Sequence, residues 1–227
     1  MLIYGKQSVY HLIAHHPSRI QTLYLAKELD KKEYSRLMRM GFEIKRIPEN
    51  AAQSMSKSGN HQGLLAEVDD IVLSEMSQLD GAEFVVLLAG VTDVGNIGAI
   101  IRSAYALGVD AVAVCGIKSL QLEPIARSSS GALFEMPLLV EPNIHDLLNV
   151  LKTRGFTLYG AVLEGEDIRT LSVSGKRALI LGSEGEGIAD RVVKKLDYKI
   201  KIAMAHDFDS LNVSAAGAIL IDRMRHG

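Results

Sequence analysis

Three runs constrain this chain more than anything else in it. Phe84–Ala89, Ala111–Cys115 and Ala178–Leu181 are apolar at every position. A strand with one face in water alternates, so a strand without alternation is covered on both faces. Between and after these runs lie helical patterns at 96–107, ended by Gly108, at 144–152, and from about Ser210 to the end of the sequence. Further strands are expected at 137–140, 156–162 and 198–202, with helical segments around 123–130 and 188–195. Strands alternating with helices, and apolar throughout, predict an α/β fold: a doubly wound parallel sheet that binds ligands at the carboxyl ends of its strands.

The first 70 residues read differently. Apolar groups at 9, 12 and 13 give a short helix over 6–14, and 20–25 alternates like a strand. A helix from Asp30 to Met40 has Asp30 as its cap and Gly41 as its stop. A strand at 43–47 ends at Pro48, residues 49–61 are polar and expected to be irregular, and 63–68 is a third strand. Residues 1–70 therefore form a small α/β unit, 71–82 a linker with room for one helical turn, and 83–227 the larger sheet.

No apolar run reaches the ~18 residues that span a bilayer. Met1–Lys6 lacks a basic region followed by an apolar signal core, and there is one cysteine, Cys115. It sits within an apolar run, so the reading is a buried strand thiol in a cytoplasmic protein. Residues 1–70 carry 10 lysines and arginines against 8 acidic residues, and the remainder 15 against 19. Neither part is basic enough for charge alone to argue for nucleic acid.

Three segments carry polar groups where this fold would use them. Val94-Gly95-Asn96-Ile97-Gly98-Ala99-Ile100-Ile101-Arg102 follows the first apolar run. Taken alone, Asn96 is a helix cap and Arg102 a solvated arginine; there is no dinucleotide fingerprint and no phosphate loop. Gly182-Ser183-Glu184-Gly185-Glu186-Gly187 follows another run. Its glycines either let backbone approach a ligand or make only a flexible βα turn, and its two carboxylates repel a triphosphate. The third is Ile202-Ala203-Met204, a short polar turn, then Ser210-Leu211-Asn212-Val213-Ser214 running into Ala215-Ala216-Gly217-Ala218. By itself this is a capped helix of small residues that packs closely on its neighbours.

Together, in this order, the segments resemble motifs one, two and three of the SpoU-type (TrmH-like) RNA ribose 2′-O-methyltransferases of the SPOUT superfamily. Tyr4-Gly5-Lys6 with Val9 and Leu12, and His61-Gln62-Gly63 before the strand 64–68, resemble the start and close of that family's small L30e-like substrate-binding domain. The likeness covers essentially the whole chain. Two positions depart from the pattern, Ala203 and Val94, where proline is common.

The resemblance implies a mostly parallel SPOUT-type sheet with a C-terminal trefoil knot, preceded by the L30e-like domain. It implies S-adenosylmethionine as co-substrate, held by backbone at Gly182, Ile202 and Leu211 with Met204 nearby, and no metal. Arg102 would be essential, either activating the ribose hydroxyl or holding the adjacent phosphate and the developing oxyanion. Asn96 and Glu184 would position Arg102 or the RNA, and Ser210 and Asn212 would orient substrate or cofactor. The implied partners are RNA, through cations such as Lys6, Arg19, Lys31 and Arg36, and a second copy in a homodimer. A guanosine of 23S ribosomal RNA is the expected target. Transfer RNA, an adenosine of ribosomal RNA, and a non-catalytic RNA-binding protein are the alternatives.

Overall fold

The computed structural model describes residues 1–206 and 210–227, so the polar turn expected between Met204 and Ser210 lies in part outside the described residues. The chain opens with β1 (Leu2–Tyr4), α1 (Lys6–His15), β2 (Ile20–Leu25), α2 (Lys31–Met38), β3 (Glu43–Arg46), α3 (Glu49–Met55) and β4 (Leu64–Val68). These strands form a sheet in the order β1-β4-β2-β3, parallel only between β2 and β3. Helix α1 buries Val9, Leu12 and Ile13, the face its spacing marks out. Asp30 caps α2 by accepting from Glu33 N at 2.9 Å, and Gly41 supplies a left-handed corner at φ 92°.

The expectation of an irregular stretch over 49–61 is corrected by α3. Pro48 stands at its start with Glu49 in the first turn, and Ala51, Ala52, Gln53 and Met55 are good helix formers, with Ala52 fully buried. Only the following stretch is irregular, and there Lys57, Ser58 and Gln62 take left-handed backbone. β1 is too short to show a pattern of its own and exists by pairing with β4 from Leu2↔Glu67 to Tyr4↔Leu65.

After an extended stretch with one 3-10 turn (Met76–Leu79) come β5 (Phe84–Ala89), α4 (Val94–Ala106), β6 (Ala111–Cys115), α5 (Leu122–Ser128), β7 (Leu138–Glu141) and α6 (Ile144–Thr153). Then follow β8 (Thr157–Asp167), β9 (Arg177–Gly182), α7 (Asp190–Val193), β10 (Tyr198–Lys201) and α8 (Val213–His226). The six strands are all parallel, in the order β10-β8-β9-β5-β6-β7. The apolar runs β5, β6 and β9 sit inside the sheet. Phe84, Val86 and Leu88 pack with Ile97, Ile100 and Ile101 of α4, while Val85 and Leu87 pack with Leu147, Leu148 and Leu151 of α6. Burying each such side chain contributes about 1.5–3 kcal/mol.

The connection from β5 leads through α4 to β6, while that from β9 leads through α7 to the opposite edge at β10. Neighbouring strands whose connections diverge leave a crevice outside their carboxyl ends. β5 and β9 end level, with Ala89 opposite Gly182. From the β10 edge the chain returns to lay α8 on α4 and β9. Gly217 permits this contact, because a Cβ there would meet Leu181 Cδ1 at 3.0 Å.

Candidate active site

The first segment enters the crevice from β5. Asp93, not Asn96, is the cap of α4: its Oδ1 accepts from Asn96 N at 2.7 Å. The aspartate three residues upstream satisfies the helix donor and leaves the Asn96 amide free, which corrects the reading of Asn96 as a cap. Gly98 is needed for close approach to α5, since a Cβ there would fall 1.9 Å from Ser128 Oγ and 2.8 Å from Ser129 N.

The second segment is a stapled loop. Ser183 N donates to Gly187 O at 3.2 Å and Gly187 N to Ser183 O at 3.0 Å. Glu186 N adds a bond to Ser183 Oγ at 3.3 Å. Gly182 allows the closure, because a Cβ would lie 2.2 Å from the Gly187 carbonyl carbon. Glu184 projects from this closed loop.

The third segment arrives as the start of α8. Asn212 caps that helix, its Oδ1 accepting from Ser214 N at 3.0 Å and Ser214 Oγ at 2.5 Å. With the oxygen so engaged, Nδ2 faces outward, donating to Glu184 Oε1 at 2.5 Å and to Asn96 Oδ1 at 2.9 Å. Asn96 Nδ2 donates to the same Glu184 oxygen at 3.2 Å. A carboxylate only accepts, so it fixes which way both amides point. Asn96, Glu184 and Asn212, from three distant segments, thus form one hydrogen-bonded cluster.

The other expected residues stand around it. Arg102 is exposed and outside the cluster; its Nη1 donates to Ser130 Oγ at 3.2 Å. Ser210 is exposed at the entry to the third segment and is not joined to the cluster. Ile202 is half-buried against the core, Leu211 is half-buried, and Met204 is 38% exposed. Cys115 lies in the sheet interior, where burial pushes its thiol up to about 12. Among the described residues no three His, Cys, Asp or Glu side chains are grouped as metal ligands. Asp93, which takes the Asn96 backbone N–H, and Ser214, which holds the Asn212 oxygen, are absent from the sequence reading as functional residues; an aspartate three positions before Asn96 was the available signal.

Fold and site together define the class: an α/β protein with a parallel sheet and a polar cluster at the point where the connections diverge. Residues 83–222 match the family described as "SpoU rRNA Methylase family", and residues 2–71 match "RNA 2'-O ribose methyltransferase substrate binding". The chain belongs to the SpoU rRNA methylase family. It is 32% identical to the 23S rRNA (guanosine-2'-O-)-methyltransferase RlmB of Pseudomonas putida, over 98% of this chain and 95% of that protein. The RlmB of Vibrio cholerae is also 32% identical, over 99% and 96%. Among solved structures, the SpoU methyltransferase AviRb from Streptomyces viridochromogenes, in complex with AdoMet, aligns with a TM-score of 0.79 at 24% identity, covering 99% of this chain and 88% of that one.

Proposed function

We propose that this protein transfers a methyl group from S-adenosylmethionine to the 2′-hydroxyl of a ribose in RNA, the target being a guanosine of 23S ribosomal RNA. The observation that carries the reading is the Asn96–Glu184–Asn212 cluster, which joins the three segments resembling the family's motifs. The near full-length similarity to proteins named 23S rRNA guanosine-2'-O-methyltransferases supports the substrate.

The residues fit the co-substrate. A sulfonium cation needs no phosphate cradle, and the loop beside the cluster carries Glu184 and Glu186 instead of cations. Backbone at Gly182, Ile202 and Leu211, with the half-buried side chains of Ile202 and Leu211 and exposed Met204, would hold the adenosine part. When bound, S-adenosylmethionine supplies an electrophilic methyl carbon. The ribose oxygen would take that carbon as the carbon–sulfur bond breaks, with the bond's electron pair staying on sulfur and the hydroxyl proton passing to Arg102 or to water. An alcohol attacks poorly unless it loses that proton as it reacts. Arg102 would assist by accepting the proton or by holding the neighbouring phosphate and the developing oxyanion. The second role asks less of an arginine, because a guanidinium gives up its proton far less readily than the usual side-chain bases. The cluster and Ser210 would orient RNA or co-substrate around it.

The same reading divides the chain at 1–70, 71–82 and 83–227, in line with matches over 2–71 and 83–222. It takes the first unit as an L30e-like RNA-binding domain and the last as a SPOUT-type domain with a trefoil knot. The extension of β8 that pairs Glu166 with Ile200, followed by a 3-10 turn (Ile168–Thr170) packed on α8, supports the knot. Exposed Ile219 on α8 and Met204 support a homodimer, and the setting is the cytoplasm. No helix among the described residues is long and apolar enough to cross a membrane.

Ribose-methylation mapping of total RNA from a deletion strain tests the substrate. Loss of one 23S ribose methyl is expected, and loss of a transfer-RNA mark instead would overturn the target. Absence of S-adenosylmethionine binding in calorimetry with the purified protein would overturn the enzyme.

A further inference from the structure

Arg102 lies outside the cluster, but it is not loose. Its Nη1 donates to Ser130 Oγ at 3.2 Å, across from α4 to the corner that ends α5. That corner is unusual in its backbone. Ser130 has φ 53° and Gly131 follows at φ 92°. A left-handed non-glycine residue costs energy and persists only where its surroundings hold it.

The surroundings do hold it. Ser130 N donates to Arg127 O at 2.9 Å and Gly131 N to Ala126 O at 2.8 Å. Ser129 is fully buried, donating to Ala126 O at 3.0 Å and accepting from Leu133 N at 3.2 Å. Ser128 Oγ reaches back to Val94 O at 2.8 Å, tying α5 to the first turn of α4. The His11 ring fills the space beside Gly131, where a Cβ would meet Cδ2 at 2.7 Å. Arg127 stacks on Tyr4 at 4.0 Å, which clamps α5 to the first sheet as well. The hydroxyl that meets Arg102 is therefore anchored from both sides.

On the reading that Arg102 serves methyl transfer, we infer that Ser130 is its positioning residue. An exposed arginine loses much of its side-chain freedom when it is fixed for chemistry. A hydrogen bond to an anchored hydroxyl removes part of that loss before the substrate arrives, and leaves the guanidinium's remaining N–H groups for RNA. Ser130 touches neither the ribose nor the co-substrate in this scheme; it acts through Arg102.

Ser130→Gly and Ser130→Asn separate the hydroxyl from the fold. Glycine accepts the left-handed corner and removes the acceptor, and asparagine tolerates the corner and supplies one. Single-turnover methylation of unmodified 23S RNA from a deletion strain should fall about ten-fold in Ser130→Gly, with part of the rate restored in Ser130→Asn. S-adenosylmethionine affinity, KM for RNA within about two-fold, and melting temperature should hold in both. The Arg102 Nε–H order parameter from 15N relaxation should drop in Ser130→Gly, a readout that does not require activity. An unchanged order parameter overturns the inference whatever the enzyme does, and so does a wild-type rate in Ser130→Gly. A wild-type protein that fails to methylate RNA while its Arg102 order parameter responds to Ser130→Gly overturns the functional reading and leaves the positioning contact standing.

Discussion

Asn212 and Glu184 stand 28 residues apart and meet in a 2.5 Å hydrogen bond from Nδ2 to Oε1. The same carboxylate oxygen takes a second amide from Asn96, 88 residues away. One exposed side chain thus holds the loop after β9 to the starts of both α4 and α8. Exposed polar contacts contribute little to folding, so the cluster matters for the shape of the site more than for global stability.

Glu184→Ala should expose that distinction. Both amides lose their common acceptor; Asn212 stays held by Ser214, but the loop after β9 is no longer tied to either asparagine. We expect methyl transfer to fall by about two orders of magnitude, while stability to urea changes by less than ~1 kcal/mol. Glu184→Gln, which keeps one acceptor oxygen, should lose less. A variant that unfolds at clearly lower denaturant would show instead that the cluster is part of the scaffold.

Arg102→Ala is expected to abolish methyl transfer and to leave S-adenosylmethionine affinity within a few-fold. Arg102 is exposed on α4 and bonded to Ser130, with no bond to the loop residues assigned to the co-substrate. Calorimetry paired with a tritiated-methyl assay checks both halves. Wild-type turnover in this variant would remove Arg102 from the chemistry.

Gly98→Ala tests how tightly α4 sits on α5. The added methyl would fall 1.9 Å from Ser128 Oγ and, less forgivingly, 2.8 Å from the Ser129 backbone nitrogen. Overpacking of this kind costs about 1–3 kcal/mol, which for a chain of this size lowers the melting temperature by roughly 2–4 °C per kcal/mol. Gly81→Ala is the control, because nothing lies within 4 Å of a Cβ there. Equal melting temperatures for the two variants would contradict the close contact.

The strands and most helices were legible because their signals are local. Phe84–Ala89 needs only its own composition to read as a doubly covered strand, and Asp30 and Gly41 mark the ends of α2 from within a few residues. Helix α3 was not legible, because its apolar face is only Ala51, Ala52 and Met55, two of them alanines, too small to stand out among exposed Glu49, Asn50, Gln53 and Ser54. The site was legible only through resemblance. Spacing along the chain says nothing of an asparagine at 96 meeting one at 212, since that contact depends on strand order and on Gly217 admitting α8. Asn96 and Asp93 both suit a helix start, and only the backbone decides that the side chain spent there is Asp93.

His11 makes stability depend on pH in a window that can be named. It lies where α1 meets the 3-10 turn Ala132–Phe134 and the adjoining Glu135, with its Nε2 3.3 Å from Glu135 Oε1 but not aligned for a hydrogen bond. His15 is stacked at 4.6 Å and His16 sits on the same carboxylate at 2.6 Å. Burial, and then the nearby His15, depress the His11 pKa, and Glu135 offsets this only in part. The unfolded chain, titrating near ~6.5, therefore binds this proton more readily than the folded one. The contribution is intact above ~6.5, is lost as pH falls from there through the lower folded value, and levels off below it. Thermal melts between pH 7.5 and 5.5 should show the wild type losing stability faster than His11→Gln, whose side chain does not titrate. Parallel profiles for the two proteins would assign the acid sensitivity to groups other than His11.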